Sequence, residues 1–455
     1  MAGTTAGVDE REGSQPGLRR VIGPKLLLFF VIGDILGTGI YALTGEVAAE
    51  VGGAAWTAFG LAFLVALLTA TSYVELVSKY PRAAGAALYA NRAFGLPLLT
   101  FLVAFAVMCS GLTSAGAAAR AFGGDYLAEF VELPTWAVAV GFLVLLALVN
   151  LRGVSESVKC NVVLTTVELG GLLLVLGLGA WALAQGTGDP GRALEFEEGG
   201  AFGLVVSGAA LAFFALVGFE DSVNMAEEVE EPRRTFPRAL FLGIAVTGVI
   251  YMLIAFVATA VVDLETLGGS TGPLLEVVRA AAPAFPLAVF SAIALFAVTN
   301  SALINMLMAS RLVYGMARER IVPAALGRVH RTRRTPVTAI AFTTVLAVAL
   351  VLTGDLEGLG GTTALLLLCV FAVVNASVLV LRHDRADHDH YRAPTALPVL
   401  GVLACLYLAS PLSGREASQY ATAGVLLLVG LALWVVNTLV HGGGREGADR
   451  RAAGA

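Results

Sequence analysis

Apolar residues in this chain occur in long runs, without the three-and-four spacing of an amphipathic helix. Runs of about 20 apolar residues are typical of helices that cross a lipid bilayer. We predict twelve such helices, called spans one to twelve in chain order, of which the eleventh is short. The predicted limits are 21–51, 54–78, 97–121, 134–151, 160–185, 202–226, 239–262, 285–317, 336–354, 361–381, 396–412 and 420–441.

The composition supports an all-α integral membrane protein. Charged residues make up 14% of the chain and hydrophobic residues 57%, whereas soluble domains carry about 25% charged residues. We expect no soluble domain beside the spans and no cleavable signal peptide before span one. Residues 1–20 and 442–455 are predicted to be short disordered tails.

The distribution of positive charge predicts the orientation. With a cytoplasmic N-terminus, the outward loops and span ends hold four of the 29 Lys and Arg, which leaves 29 − 4 = 25 inside. This bias follows the positive-inside rule. An even number of spans then places both termini on the cytoplasmic side of the cell membrane. The four outer residues are Arg120, Arg192, Arg279 and Arg415.

Span one contains a stretch that weakens a helix, "VIGDILGTGIYAL". Each glycine of Gly37-Thr38-Gly39 destabilises helix by roughly 1 kcal/mol. Backbone polar groups in hydrocarbon must be paired, so an unwound stretch persists there only where it lines a cavity in the protein. Close helix packing through small residues is the competing interpretation, and "GDILG" (Gly33 to Gly37) fits it.

Span six carries a second candidate break, five spans after the first. Gly208 and Gly218 flank the pair Phe213-Phe214. Interrupted segments at corresponding positions of two halves are the best sequence indication of a transporter site. We therefore favour the cavity interpretation for both and predict that the two breaks meet near the middle of the bilayer.

Two broken helices offer complementary backbone groups. A helix that begins at a break presents free N–H groups and a positive dipole end, which suits a carboxylate. A helix that ends there presents free carbonyls, which suit an ammonium group. The site would thus recognise an α-amino acid. We expect its carboxylate against the amides of Thr38, Gly39 and Ile40, and its ammonium near the carbonyls around Leu36 and from Phe213 to Ala215.

Four motifs in the same order resemble the amino acid–polyamine–organocation (APC) transporters. "GTGIYALTGEVAAEVGGAAWTAF" is similar to the opening of the cationic-amino-acid-transporter-like branch, and "YPRAAGAALYANRAFG" to the loop after span two. "FFALVGFEDSVNMAEEVEEPRRTFPRAL" resembles the sixth span with its following loop, and "ASRLVYGMARERIVPAAL" the cytoplasmic end of span eight. The resemblance covers roughly residues 20–380.

The resemblance implies a 5+5 inverted-repeat (LeuT-like) fold with discontinuous helices one and six. Spans one to ten would form the core over 21–381, and two further helices would occupy 382–441. In that family spans one, two, six and seven rock against spans three, four, eight and nine. Phe214 matches the position of an aromatic that caps the bound substrate, with a packing or lipid-facing role as the alternative. Leu216, Val217 and Gly218 would lie on the unwound strand.

Two carboxylates inside the spans are candidates for ion coupling, because a carboxylate at the bilayer centre costs at least ~2.5–3.5 kcal/mol. Asp34 lies one turn before the break in span one, and Glu168 lies in the middle of span five. Bacterial relatives often carry a lysine at the Glu168 position, whose ammonium is thought to replace a sodium ion. The reversed charge here argues against that lysine-based mechanism.

Two coupling mechanisms remain open, beside a purely structural Glu168 that is neutral and hydrogen-bonded between helices. In the first, Glu168 or Asp34 takes up a proton, since burial favours the neutral carboxyl. In the second, carboxylate oxygen helps to bind sodium, as hard cations require several oxygen ligands. We favour the proton, because bacterial members of the family are mostly proton-linked or exchangers. The other sodium ligands would be Gly33, Leu36, Thr299, Asn300 and Ser301.

The predicted function is a secondary active amino-acid transporter, by proton-coupled symport or exchange. A carrier of amines or polyamines is an alternative, favoured by the surplus of acidic residues in the core. A sensor or scaffold that transports nothing is a second alternative, but such a protein would have no use for two interrupted helices. We find no catalytic constellation and no nucleotide-binding motif, and expect neither an enzyme nor a cofactor.

The histidine-containing loop 381–394 matches no metal-ligand pattern. The basic stretch 327–336 is expected at the membrane surface and not on nucleic acid. The amino acid recognised and any partner subunit stay open.

Overall fold

The computed structural model describes residues 20, 22–81, 85–152, 158–198, 200–319, 321–330, 335–384, 386 and 388–452. In this part of the chain the α-helices are α1 Pro24–Ile35, α2 Thr38–Val51, α3 Ala55–Lys79, α4 Gly85–Phe94, α5 Pro97–Phe122, α6 Asp125–Ala128, α7 Thr135–Arg152, α8 Val158–Ala184, α9 Ala201–Ala212, α10 Pro232–Val261, α11 Leu264–Gly269, α12 Pro273–Ala281, α13 Leu287–Arg318, α14 Val337–Thr353, α15 Leu356–Leu381, α16 Ala396–Ala409 and α17 Ala417–Ala452. Proline stands in the first turn of several of them, where its missing N–H costs nothing.

Length and hydropathy identify the helices that can cross a membrane. Among the described residues nine qualify, and the pair α1 and α2 makes a tenth when it is taken as one span bent by 42°. The chain is therefore a helical multi-pass membrane protein. Two shorter apolar helices, α14 with 17 residues and α16 with 14, coincide with predicted spans nine and eleven. The count of twelve includes these two and stays a prediction.

The predicted tails fall at the limits of the described chain. All but the last residue of the tail 1–20 lies outside the described residues, and α17 continues to Ala452, into the segment 442–455. Parts of the loop 381–394 (385 and 387) and of the basic stretch 327–336 (331–334) also lie outside them. The division of the chain into core, added helices and tails stays a prediction.

The packing of the helices sets the two sides of the central region. On one side α1 packs against α8 and α10, and α2 packs against α9. On the other side α5, α13 and α15 pack so that α5 contacts both of the others. The two broken spans therefore face a wall of three continuous helices.

At one end of the bundle an ion pair joins α3 to Arg382, the residue after α15. Arg382 donates to both carboxylate oxygens of Glu75, at 2.9 and 2.7 Å; the Glu75 side chain is buried and the Arg382 side chain is 9% exposed. Lys79 donates to the backbone carbonyls of Leu381 and Asp384. These contacts fix the C-terminal end of α15 against the C-terminal end of α3.

Candidate functional site

The first break separates α1 from α2 at Leu36 and Gly37. The Leu36 N–H still donates to the Ile32 carbonyl at 2.8 Å, but its ψ of 119° turns the chain into an extended conformation. A new helix begins at Thr38. The N–H groups of its first turn have no acceptor within the helix, and the N-cap residue, Gly37, has no side chain that could cap them. This helix start is thus free to bind an anion.

The second break follows α9. A 3-10 helix at Phe213–Leu216 replaces the α-helix, Val217 is extended, and Gly218 has a φ of 124°, a conformation that favours glycine. The Gly218 N–H donates to Oε2 of Glu220 at 2.8 Å. The chain then continues as a second 3-10 helix, Asp221–Met225. Span six is therefore interrupted over the predicted stretch, and its second half is not an α-helix.

The two breaks are in direct contact. A Cβ atom added at Gly39 would lie 2.4 Å from Cα of Ala215. One added at Gly218 would lie 2.4 Å from the carbonyl oxygen of Asp34. Such distances are far below van der Waals contact, so only glycine allows this approach. The predicted meeting of the two interruptions is thus present in the structure.

A cavity opens between the two breaks and the wall of α5, α13 and α15. It has about 800 Å³ of empty space, a figure that includes the open solvent at its mouth. Polar and small residues of the wall face it at several positions. These are Ser110, Gly111 and Ser114 of α5, Asn300, Ser301 and Asn305 of α13, and Thr363 of α15.

The predicted substrate residues divide into two groups. The cavity is lined by Leu36, Gly37, Thr38, Gly39, Phe214, Val217 and Gly218. The other four, Ile40, Phe213, Ala215 and Leu216, are buried outside its lining. Of these, Phe213 packs edge-on against Phe371 with ring centroids 6.0 Å apart, and Ala215 is the residue that touches Gly39.

Glu168 lies behind the cavity. Its side chain is 0% exposed, and its Oε1 accepts a hydrogen bond of 3.1 Å from Nδ2 of Asn300, which lines the cavity. In the described part of the chain Oε2 of Glu168 has no hydrogen-bond partner. Asn300 therefore connects the cavity to a buried carboxyl group.

The remaining predicted coupling residues are placed differently from one another. Gly33, Asp34 and Ser301 line the cavity, and Ser301 Oγ would lie 3.1 Å from a Cβ at Gly37. Thr299 is not part of the lining. Its hydroxyl donates to the Leu295 carbonyl of its own helix at 2.6 Å.

Several residues of the site were not predicted from the sequence. The Tyr251 hydroxyl donates to the carbonyl of Ile35, the last residue of α1, at 2.8 Å. On the wall, Asn305 Nδ2 donates to Ser114 Oγ at 3.2 Å. The four-residue spacing of Ser110 with Ser114, and of Ser301 with Asn305, places polar groups on one helix face, and this pattern could have indicated the wall.

The charged residues of the cavity are all acidic. Asp34 comes from α1, and Glu220 and Asp221 follow the second break. No lysine or arginine occurs among the described residues that line the cavity. The surroundings of the two breaks therefore favour a ligand with at least one positive charge.

Comparison with known proteins places the chain among transporters. Residues 22–436 match the family described as amino acid permease. The chain is 25% identical to the branched-chain amino acid permease of Bacillus subtilis over 94% of this chain and 95% of that protein. It is 28% identical to chloroplastic cationic amino acid transporter 9 of Arabidopsis thaliana (95% and 79%) and 27% identical to the methylthioribose transporter of Bacillus subtilis (94% and 94%).

Proposed function

The chain belongs to the amino acid permease family, and from this premise we propose that it is a secondary active amino-acid transporter that works by alternating access. A permease of this family is a transporter and not an enzyme. The observation that carries the proposal is the contact between the two breaks, where Gly39 and Ala215 meet beside a cavity that residues of both breaks line. Two interrupted helices that meet at one cavity are costly in a membrane and serve a bound ligand.

The substrate is an α-amino acid bound by backbone groups. Its carboxylate accepts hydrogen bonds from the uncapped amides at the start of α2, where Thr38 and Gly39 line the cavity. The Thr38 hydroxyl, which has no hydrogen-bond partner in the described part of the chain, lies beside these amides. The ammonium group lies towards the carbonyls at the end of α1 and near the three cavity acids. Phe214 covers the site from the side of α9.

The chain has twelve spans in the cell membrane, five and five of them in an inverted repeat, with both termini in the cytoplasm. In this orientation the cavity opens to the inner side. Its lining follows α13 as far as Leu312, about two turns before that helix ends at Arg318. On the outer side the lining stops at Gly39 of α2 and includes no residue of α9. These positions support an inward-open state.

Transport is coupled to a proton through Glu168. An ionised carboxylate at this fully buried position would cost several kcal/mol, and one of its oxygens has no hydrogen-bond partner among the described residues. A protonated carboxyl avoids this cost. Asn300 contacts Glu168 and lines the cavity, so occupancy of the cavity and protonation of Glu168 can influence each other.

Sodium coupling is supported less well. The oxygen ligands suggested for sodium include Thr299, whose hydroxyl is directed into its own helix and lies outside the cavity lining. A carrier of amines or polyamines is the second candidate function. The three acids Asp34, Glu220 and Asp221 in the cavity favour it, whereas the free amides at the start of α2 do not, since an amine has no carboxylate.

Uptake into liposomes tests the proposal. Purified protein is reconstituted, and labelled amino acids, amines and polyamines are offered under an inward proton gradient, once without sodium and once with an inward sodium gradient. Accumulation of an amino acid that collapses with a protonophore supports the proposal. Uptake of amines alone supports the second candidate, and accumulation that requires sodium contradicts proton coupling.

A further inference from the structure

Two side chains, Leu43 and Phe214, and the backbone at Gly360 close the cavity on the side opposite its mouth. A Cβ atom at Gly360 of α15 would lie 2.6 Å from Cδ1 of Leu43 in α2 and 3.5 Å from Cδ1 of Phe214. All three residues are buried. The helices α2 and α15 and the residues after α9 thus meet directly beyond the site, and we call this contact the outer barrier.

Arg415 lies beside the outer barrier, in the turn between α16 and α17. Nη1 of its guanidinium donates to the Gly361 carbonyl of α15 at 2.9 Å, and Nη2 donates to the Ala210 carbonyl of α9 at 2.7 Å. Gly361 directly follows the barrier residue Gly360, and Ala210 lies about one turn before Phe214. The same side chain therefore holds two of the three barrier elements by their backbones.

Two further hydrogen bonds anchor Arg415 itself. Its Nε donates to the Leu408 carbonyl of α16 at 2.7 Å, and Nη1 also donates to Oε1 of Gln419 in α17 at 2.8 Å. The turn packs on α9 as well, since a Cβ at Gly414 would lie 2.8 Å from Ser207 Oγ. Burial lowers the pKa of Arg415 to about 10, which leaves it charged at neutral pH.

The Ala210 carbonyl needs an external donor. It belongs to the last turn of α9, whose carbonyls lack regular partners within the helix, and the change to a 3-10 helix at Phe213 shifts the hydrogen-bond pattern by one residue. A charged donor at a helix C-terminus is also favourable for the helix dipole. The break in span six and the hydrogen bonds of Arg415 are thus linked.

We propose that Arg415 is a positioning residue of the transport cycle that holds the outer barrier closed by fastening α9 to α15. This inference rests on the proposed function, because only an alternating-access protein has an outer barrier that must open when the inner side closes. For the cavity to open outwards, α9 and α15 must separate and at least one of the two carbonyl contacts must break. Loss of the guanidinium then favours the outward-open state.

Thiol labelling tests this inference. The four cysteines, Cys109, Cys160, Cys369 and Cys405, are replaced, and Ile304→Cys is introduced in the cavity wall, at a partly exposed position of α13 about one turn from Asn300. A membrane-impermeant methanethiosulfonate is applied to intact cells from outside and to inside-out vesicles. In the parent the thiol reacts faster from the inner side. In Arg415→Met the outer labelling rate increases by about tenfold or more, because one charge-assisted hydrogen bond is worth such a factor in an equilibrium constant.

Arg120 provides the matched control. It is another outer-side arginine that donates to a carbonyl in the last turn of a helix, from α5 to Val351 of α14. Those two helices correspond to spans three and nine, which move as one body in the expected cycle. Arg120→Met should leave the outer labelling rate unchanged, and an equal increase in both variants overturns the inference.

Folding and function are separated in two ways. Gel filtration checks that each variant is monodisperse. If Arg415→Met is not, the milder variants Arg415→Lys and Gln419→Leu replace it, because they weaken the contacts without removing every donor. Both must then show a smaller increase in the outer labelling rate. Unchanged outer labelling in a folded Arg415 variant contradicts the inference. Labelling does not depend on which substrate is carried. A shift in labelling without any amino-acid uptake therefore refutes the proposed substrate class, whereas alternating access and the role of Arg415 stand.

Discussion

Asn300 donates a hydrogen bond of 3.1 Å to Glu168, across the boundary between the central cavity and a fully buried carboxyl group. The two residues lie on α13 and α8, 132 positions apart in the chain. Through this contact an event in the cavity can alter the surroundings of a titratable group that has no direct access to it. The coupling mechanism proposed above depends on this pair.

Replacement of Glu168 by glutamine should abolish proton-driven accumulation and leave exchange partly intact. The amide keeps an acceptor for Asn300 but carries no titratable proton. Liposomes with and without internal substrate, under an imposed pH gradient, measure the two activities. Glu50→Gln, at an exposed position of α2, is the control and should behave as wild type. Wild-type accumulation by Glu168→Gln would refute the coupling assignment.

Gly39→Ala should prevent the two breaks from meeting. The added methyl group would lie 2.4 Å from Cα of Ala215, so one of the backbones must move. We expect a loss of stability of roughly 1–3 kcal/mol from overpacking and a decrease in uptake of about tenfold or more from the displaced amides.

Gly141→Ala is the control for this substitution, because a Cβ there meets no atom within 4 Å. It should leave uptake unchanged and keep or raise the melting temperature, since alanine favours helix. If Gly39→Ala transports as well as Gly141→Ala, the close approach at Ala215 has no functional role.

Tyr251→Phe should weaken the end of α1. The lost hydroxyl leaves the Ile35 carbonyl without its donor, at a cost of roughly 0.5–1.5 kcal/mol, and should raise the substrate concentration for half-maximal uptake a few fold. Tyr89→Phe is the matched control, because the buried Tyr89 hydroxyl has no hydrogen-bond partner among the described residues. Equal effects of the two substitutions on thermal unfolding and uptake would speak against a specific role for Tyr251.

The Glu75–Arg382 pair should be strongly coupled. The hydrogen bonds that Arg382 donates to Glu75 raise the pKa of Arg382, which therefore stays charged at any physiological pH. Glu75→Gln removes the carboxylate beside Arg382, which still donates to Thr395 and to the Ala393 carbonyl, and should cost roughly 1.5–3 kcal/mol. The double variant Glu75→Gln with Arg382→Met should be more stable than Glu75→Gln alone in thermal unfolding. Additive losses would show that the two side chains act independently.

The breaks were accessible from the sequence because they depend on local chemistry. Gly37 and Gly39 weaken span one and Gly218 permits the left-handed turn in span six, so the composition of each segment carries the signal. The side chains that face the cavity were harder to assign. A 3-10 helix over Phe213–Leu216 has three residues per turn, and of its four residues only Phe214 reaches the cavity.

Contacts between distant helices could not be predicted. Tyr251 and Ile35 are 216 positions apart, and Glu75 pairs with Arg382, 307 positions away, rather than with Lys79 one turn further along its own helix. Hydropathy also gives little information about the length of a helix, since α14 and α16 are apolar but shorter than a typical membrane span. A single sequence contains no information about which of many polar residues meet.

The most direct test of the account compares three ligands that differ only at the carboxylate. The amino acid that most stabilises the purified protein against heat is measured by calorimetry beside its methyl ester and its decarboxylated amine. If uncapped amides at Thr38 and Gly39 bind the carboxylate, the ester and the amine should each bind about tenfold or more weakly, the value of one charge-assisted hydrogen bond. Equal affinity for all three ligands would contradict the central claim that the two broken helices recognise both charges of an α-amino acid.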